Sequence, residues 1–143
     1  MIREWPFLVA DAIGATIRTA RSDDSFYAVP LGIRFVAPSE QFLSAEYDRL
    51  TAMVEAPFPV KTADDLDTET LRDDYAKPGL ARIQRRLIES FDGRPHLSKY
   101  NDLNFADMTR LFPKFGSWLA VYGPLNEFGT FNDGFTDQLG ISN

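Results

Sequence analysis

Three side chains that can carry positive charge lie close together in the sequence, at Arg94, His96 and Lys99. They follow a helical pattern that ends near Gly93. A histidine can donate or accept a hydrogen bond near neutral pH, and a lysine can stabilise an anion such as a developing alkoxide. This spacing predicts a hydrogen-bonding loop that faces a ligand. The plainer interpretation is a basic helix terminus, since the carboxyl end of a helix attracts cations.

A second candidate is Arg34, which lies in a segment where large apolar residues alternate with other types. The alternation places Arg34 and Gly32 on one face of a predicted strand. Gly32 would then leave room for a ligand that the guanidinium positions. Alternatively, Arg34 reaches solvent along its apolar stem. Glu55, in the next predicted strand, could pair with Arg34, and such a pair would weaken a catalytic role for both residues.

Several common catalytic motifs are missing from the sequence. It contains neither a Gly-x-Gly-x-x-Gly turn nor a phosphate-binding loop. One histidine and no cysteine leave too few ligands for a zinc site, so we assign no metal-binding residue. A Ser-His-acid triad would have to use His96, and no serine lies in a nucleophile-elbow sequence. These absences disfavour a hydrolase, a metalloenzyme and a self-contained nucleotide site.

The composition is that of one soluble globular domain over residues 1–143, long enough for a core and too short for two ordinary domains. A net charge of -6 disfavours nucleic acid as the main partner. No apolar run approaches the roughly 20 residues that a transmembrane helix needs, and the first residues lack the pattern of a signal peptide. The absence of cysteine suits a cytoplasmic protein.

Charge and aromatic residues are unevenly distributed. Acidic residues crowd residues 61–77, which we predict to be a loop or insert, and basic residues follow between Arg82 and Lys99. These segments are either solvated faces of opposite sign or a docking surface for another domain. The aromatic content of 13% indicates either a dense core or rings that line a pocket or an interface.

Hydrophobic spacing predicts an α+β fold, with a small antiparallel sheet packed with helices. Apolar residues at helical spacing predict two long helices, over residues 5–20 and 78–91. Asn104 is predicted to cap a short helix that follows it, and another short helix is predicted over about residues 115–122. Alternating residues predict strands over residues 26–37 and 50–60. Two prolines restrict the end of the second strand.

The stretch Gly93-Arg94-Pro95-His96-Leu97-Ser98-Lys99 resembles the Gly-Arg-Pro-His-Trp-Gly-Lys stretch of the flavin-linked aldonolactone oxidase family. That family includes arabinonolactone, gulonolactone and alditol oxidases, and it has sterol-oxidising relatives. Further motifs are similar in order and spacing, at residues 29–35, 43–47, 111–115, 118–126, 129–133 and 139–140. The resemblance therefore covers most residues from about 26 to 143.

This resemblance implies a flavoprotein of the vanillyl-alcohol oxidase type, in which an FAD-binding domain precedes a substrate or cap domain. By position, Arg34, His96 and Lys99 would face the substrate and the flavin ring. Further residues on the same wall would be Gly32, Glu55, Arg94, Tyr100 and Asn101. The implied reaction is hydride abstraction from a small alcohol by the flavin, with oxygen or another acceptor completing the cycle. FAD would be bound mainly by a domain or subunit that is absent from this chain, so we expect the chain alone to be inactive.

Three departures from the family pattern bear on the substrate. Gly32 stands where the family has glutamate, Leu97-Ser98 replaces Trp-Gly, and residues 61–77 have no clear counterpart. They suggest an alcohol that is larger and more apolar than a sugar lactone, such as a sterol. Two other functions stay open. The chain could be a free-standing binding module that kept the fold without catalysis, or an interaction protein built on its acidic and basic segments.

Overall fold

The computed structural model describes residues 5–22, 30–57 and 77–143. These residues form five helices and two strands, in the order α1 (Trp5–Ser22), β1 (Gly32–Val36), β2 (Thr51–Glu55), α2 (Lys77–Phe91), α3 (Phe105–Leu111), α4 (Phe115–Leu125) and α5 (Gly134–Leu139). The α+β class is confirmed. The predicted acidic segment lies outside the described residues, apart from Lys77 at the start of α2.

The described residues group into two compact units. The first consists of described residues within Met1–Val36 and Leu50–Gly93, and the second of Ala37–Arg49 and Arg94–Asn143. The first unit therefore holds α1, both strands and α2, and the second holds α3, α4 and α5. The assignment of residues 1–143 to a single cap-type domain stays a prediction.

Helices α1 and α2 pack against each other in the first unit. Ala15 and Ala20 of α1 and Ile83 and Ile88 of α2 are buried. Thr16 is also buried, and its hydroxyl donates to the carbonyl of Ala12 at 2.9 Å. The small residues of α1 allow a close approach, and the buried polar group is satisfied within its own helix.

Helix α2 ends at Phe91, two residues before the glycine that the sequence pattern marks as its stop. The left-handed residue after the helix is Asp92, with φ of 50°, and not Gly93. Gly93 is instead needed for close packing. A Cβ on Gly93 would lie 3.0 Å from the carbonyl oxygen of Leu87, to which its own N–H donates. Any larger residue would push the chain away from the helix end.

Strands β1 and β2 form an antiparallel pair in which Gly32 is opposite Glu55 and Arg34 is opposite Met53. The alternation in the sequence predicted this strand, although β1 is shorter than the predicted residues 26–37, of which 26–29 lie outside the described residues. Its large apolar residues are nevertheless accessible, with Ile33 40% and Phe35 63% exposed. Strand β2 is shorter than predicted and ends two residues before Pro57, whose missing N–H cannot contribute to a ladder.

The second unit has its core around α3 and α4. The buried apolar side chains are Ala45, Leu103, Met108, Leu111, Phe112, Phe115 and Leu139. Helix α3 begins with a capping box, in which the Asn104 side chain accepts from the N–H of Asp107 and the Asp107 side chain accepts from the N–H of Asn104. The cap predicted at Asn104 is therefore confirmed.

Aromatic rings extend along one side of α4. The ring of Phe115 lies edge-on to Phe105 at 5.4 Å between centroids. Trp118 stacks on Phe115 and on Tyr122, at 6.1 Å and 4.6 Å. Part of the high aromatic content thus forms one continuous row of rings, and this row includes Trp118 on α4.

Candidate functional site

The first group of predicted site residues lies on one face of the strand pair. The Arg34 guanidinium forms an ion pair with the Glu55 carboxylate. Both side chains are accessible, at 71% and 44% exposure. The pairing that the sequence left open is confirmed, and each charge is partly neutralised by the other.

Gly32 completes this strand face, and its missing side chain has a structural consequence. A Cβ on Gly32 would lie 3.1 Å from Oε2 and 3.3 Å from Cβ of Glu55. We expected the space above Gly32 to admit a ligand, but the Glu55 side chain lies against this space. The carboxylate of Glu55 thus lies directly opposite Gly32, the position at which the aldonolactone oxidase pattern has a glutamate.

The second group lies in the loop from Arg94 to Asn101, in the second unit. Arg94 donates from Nη1 to the carbonyl of Tyr47 at 2.9 Å. Its Nε is buried and has no hydrogen-bond partner among the described residues. Because one donor is bound to backbone, Arg94 joins this loop to the segment that contains Tyr47.

Asn101 holds the shape of the same loop. Its side chain is buried and donates to the carbonyls of Lys99 at 3.0 Å and Leu97 at 3.4 Å. Its Oδ1 accepts from the N–H of Leu103 at 3.4 Å. All these partners are backbone groups, so the contacts of Asn101 shape the loop.

The remaining loop residues present accessible polar groups. The side chains of His96, Lys99 and Tyr100 are exposed. A turn joins the N–H of Lys99 to the carbonyl of His96 at 2.9 Å. Within the part of the chain that the structure describes, the Lys99 ammonium has no hydrogen bond or ion pair. Its charge is therefore available to an external group.

His96 differs from Lys99 because one of its ring nitrogens is already engaged. Nδ1 accepts from the N–H of Ser98 at 3.3 Å and lies 3.0 Å from the Ser98 hydroxyl oxygen. The other ring nitrogen, Nε2, has no partner among the described residues. The sequence marked Ser98 as a departure from the family pattern but did not predict this contact, which its position two residues after a histidine permits.

An open cleft of about 480 Å³ adjoins His96 within the second unit. Its walls are residues 41–46, the stretch 96–98 and Trp118 of α4. The side chains include the rings of Phe42 and Trp118 beside the polar groups of Gln41 and Glu46. The hydroxyl of Ser44 is buried in this wall without a partner among the described residues. The walls combine aromatic rings with polar groups, and both kinds of group occur in small-molecule sites.

The structure thus brings the candidate residues together in two groups. One group lies on the strand face of the first unit and consists of Gly32, Arg34 and Glu55. The other lies in the loop of the second unit and consists of Arg94, His96, Lys99, Tyr100 and Asn101. The convergence of Arg34 with Lys99 on one wall stays a prediction. The sequence assigned no site role to Ser44, Ser98 or Trp118, because the cleft brings together segments that are far apart in the chain.

Comparison with protein families gives one match. The family model described as D-arabinono-1,4-lactone oxidase matches residues 8–139, which is most of the chain. Comparisons with curated proteins and with solved structures give no match. The matched range includes the strand pair, the loop from Arg94 to Asn101 and every residue that lines the cleft.

Proposed function

Because the chain belongs to the D-arabinono-1,4-lactone oxidase family, we propose that it forms the substrate side of an FAD-dependent oxidoreductase that acts on an alcohol. The observation that carries this proposal is the loop between Arg94 and Asn101. Within one turn, this loop offers the ammonium of Lys99 and Nε2 of His96, neither of which has a partner among the described residues. Both groups are accessible, so a substrate or cofactor can reach them.

These donors suit the oxidation of an alcohol. Conversion to a carbonyl removes a hydride from carbon and releases a proton from the hydroxyl to solvent, so negative charge develops on oxygen as the proton leaves. Lys99 would stabilise that charge, and His96 would orient the oxygen by hydrogen bonding. Arg34 and Glu55 pair with each other on the strand face, which weakens a catalytic role for both.

The available groups fit one part of FAD. The isoalloxazine ring gains negative charge on reduction, and the ammonium of Lys99 is suited to lie near it. When bound, FAD supplies the hydride-accepting chemistry, and oxygen or another acceptor completes the turnover. The sequence contains neither of the two glycine-rich phosphate-binding motifs, and we propose that a separate domain or subunit binds the pyrophosphate of FAD.

The proposed substrate is a small-molecule alcohol, either a sugar lactone, an alditol or a sterol. Leu97 lines the cleft where the resembling family has tryptophan, yet Trp118 and Phe42 contribute rings to the same walls. The cleft therefore retains aromatic surface despite the substitution. A ring system with hydroxyl groups would satisfy both these rings and the polar groups of Gln41, Ser44 and Glu46.

The partner in this proposal is the FAD-binding domain or subunit. Its support is the exposure of large apolar side chains in the second unit, at Val121, Leu125, Phe128 and Phe131, of which Phe128 is 89% exposed. Val121 and Leu125 are four residues apart and hence on one side of α4. Where exposed apolar residues cluster, they commonly mark interaction sites. A cytoplasmic location belongs to the same proposal.

The test uses the flavin-loaded complex, isolated through a tag on this chain from cells that produce the partner. Candidate alcohols are added without oxygen, and reduction is followed by loss of flavin absorbance. We expect reduction by one substrate class, with a rate at least about tenfold lower for Lys99→Ala and His96→Ala. Lys114→Ala removes the same charge from a position with no side-chain cap bond and serves as the matched control.

A complex that carries flavin but is reduced at equal rates in the Lys99, His96 and control variants contradicts this proposal.

The ion pair between Arg34 and Glu55 favours a second candidate function, a binding module without catalysis, because these two charges already neutralise each other. In that case a ligand would bind with unchanged affinity to Arg34→Ala and Lys99→Ala. Calorimetry with the same alcohol panel distinguishes the two functions.

A further inference from the structure

The local contact between Ser98 and His96 determines which ring nitrogen can donate. A backbone N–H is always a donor and cannot be reversed by rotation. Since the N–H of Ser98 approaches Nδ1 at 3.3 Å, that nitrogen must present its lone pair. In an uncharged imidazole the hydrogen then resides on Nε2.

The Ser98 hydroxyl strengthens this arrangement. Its oxygen lies 3.0 Å from Nδ1, and its hydrogen can rotate to donate to the same lone pair. If Nδ1 instead carried the hydrogen, that hydrogen would point at the hydrogen of the Ser98 N–H, and the two would repel each other. The backbone and the hydroxyl of one residue therefore act on the same nitrogen.

The other ring nitrogen is left for a ligand. His96 lines the open cleft together with Leu97 and Ser98, and its side chain is exposed. No described residue accepts from Nε2. The nearby hydroxyl of Ser44 is also buried in the cleft wall without a described partner. Two polar groups of the cleft are thus uncommitted, while Nδ1 is fully engaged.

We infer that Ser98 is a positioning residue, which holds His96 in the tautomer that offers Nε2–H to an acceptor oxygen of a ligand in this cleft. The identity of that ligand rests on the proposed function, whereas the tautomer is a property of the chain itself. Ser98 would touch neither the substrate nor the cofactor in this role. It acts through the imidazole, as outer hydrogen bonds do when they orient a functional histidine.

The chain contains one histidine, so its imidazole nitrogens can be observed without assignment by mutation. Long-range proton–nitrogen NMR spectra of the labelled chain report the state of Nδ1 and Nε2, at a pH where the ring is uncharged. The same chain unfolded in urea gives the reference mixture of tautomers. We expect the folded chain to show an unprotonated Nδ1 and a protonated Nε2, with less mixing than in urea.

Three variants make the measurement specific. Ser98→Ala removes the hydroxyl, and we expect the ratio of tautomers to move toward the unfolded value by about threefold or more, as for the loss of one hydrogen bond. Ser98→Thr keeps a hydroxyl and should restore the wild-type ratio. Ser117→Ala, at an exposed position of α4, should leave it unchanged. Backbone amide spectra of each variant verify that the fold is retained.

The inference is overturned if the folded chain carries its hydrogen on Nδ1, or if Ser98→Ala leaves the ratio of tautomers at the wild-type value. The first outcome is decisive even if the alanine variant does not fold. Neither outcome depends on flavin or substrate. A tautomer found as expected, in a complex that oxidises no alcohol, would instead refute the proposed function alone.

Discussion

Arg34 and Glu55 show how a pattern of charges can predict a contact without deciding its purpose. Cross-strand geometry sets Glu55 opposite Gly32 and diagonal to Arg34, within reach of a long side chain. The sequence could indicate this neighbourhood because both strands were recognisable. It could not indicate whether the pair serves stability or a ligand, since the energy of the pair depends on its exposure.

The exposure of the pair predicts a small effect on stability. In a double-mutant cycle with Arg34→Ala and Glu55→Ala, we expect a coupling energy below about 1 kcal/mol, because solvent screens accessible ion pairs. Urea denaturation of the four proteins measures it. A coupling above about 2 kcal/mol would show that the pair is desolvated in solution, and added salt should then have little effect on it.

Asn126 is the opposite case, a polar residue with 0% exposure. Its Nδ2 donates to the Tyr122 hydroxyl at 2.7 Å and to Oδ1 of Asn132 at 2.8 Å, and its Oδ1 accepts from the N–H of Phe131 at 2.7 Å. The side chain therefore ties the end of α4 to the turn that follows. No spacing rule in the sequence points to this role, because the partners lie in irregular structure.

Removing this side chain should be costly. Asn126→Ala leaves the N–H of Phe131 without its acceptor inside the unit, and we expect a loss of about 2–3 kcal/mol in the free energy of unfolding. Tyr122→Phe deletes only one hydroxyl of the network and should cost about 1 kcal/mol. Equal effects of the two substitutions, measured by chemical denaturation, would contradict a network centred on Asn126.

At the scale of elements, helices with an apolar stripe were predictable and the last helix was not. α2 combines a regular stripe with proline in its first turn and glycine beyond its end. α5 is only six residues long, within a sequence rich in glycine and phenylalanine. Its signal was the cap, because Asp133 and Thr136 exchange side-chain and backbone hydrogen bonds. So short a helix has no hydrophobic period to detect.

The capping box of α3 offers a direct test of a correct prediction. Asn104→Ala removes the acceptor for the N–H of Asp107, and we expect a loss of about 1 kcal/mol in stability. Asn104→Asp keeps an acceptor at the cap and should retain most of the wild-type stability. If both variants lose the same free energy in urea denaturation, the contribution of Asn104 does not come from capping.

At the scale of the whole molecule, the sequence indicated the family before the fold was known, because short motifs persist in order along the chain. The family match over residues 8–139 confirms the family. The cleft could not be foreseen, since residues 41–46, 96–98 and Trp118 belong to segments that only folding brings together. Among the described helices, none has the length and apolar character to cross a bilayer.

If a separate domain or subunit binds most of FAD, these 143 residues should not retain FAD by themselves. The pyrophosphate of FAD needs a concave set of N–H donors or cations, and the sequence has neither a glycine-rich dinucleotide turn nor a phosphate-binding loop. The net charge of -6 also repels an anionic cofactor. We therefore expect FAD to separate from the purified chain during gel filtration at physiological salt, while the tagged complex keeps its flavin colour. One retained FAD per isolated chain would show that this chain carries the cofactor site itself.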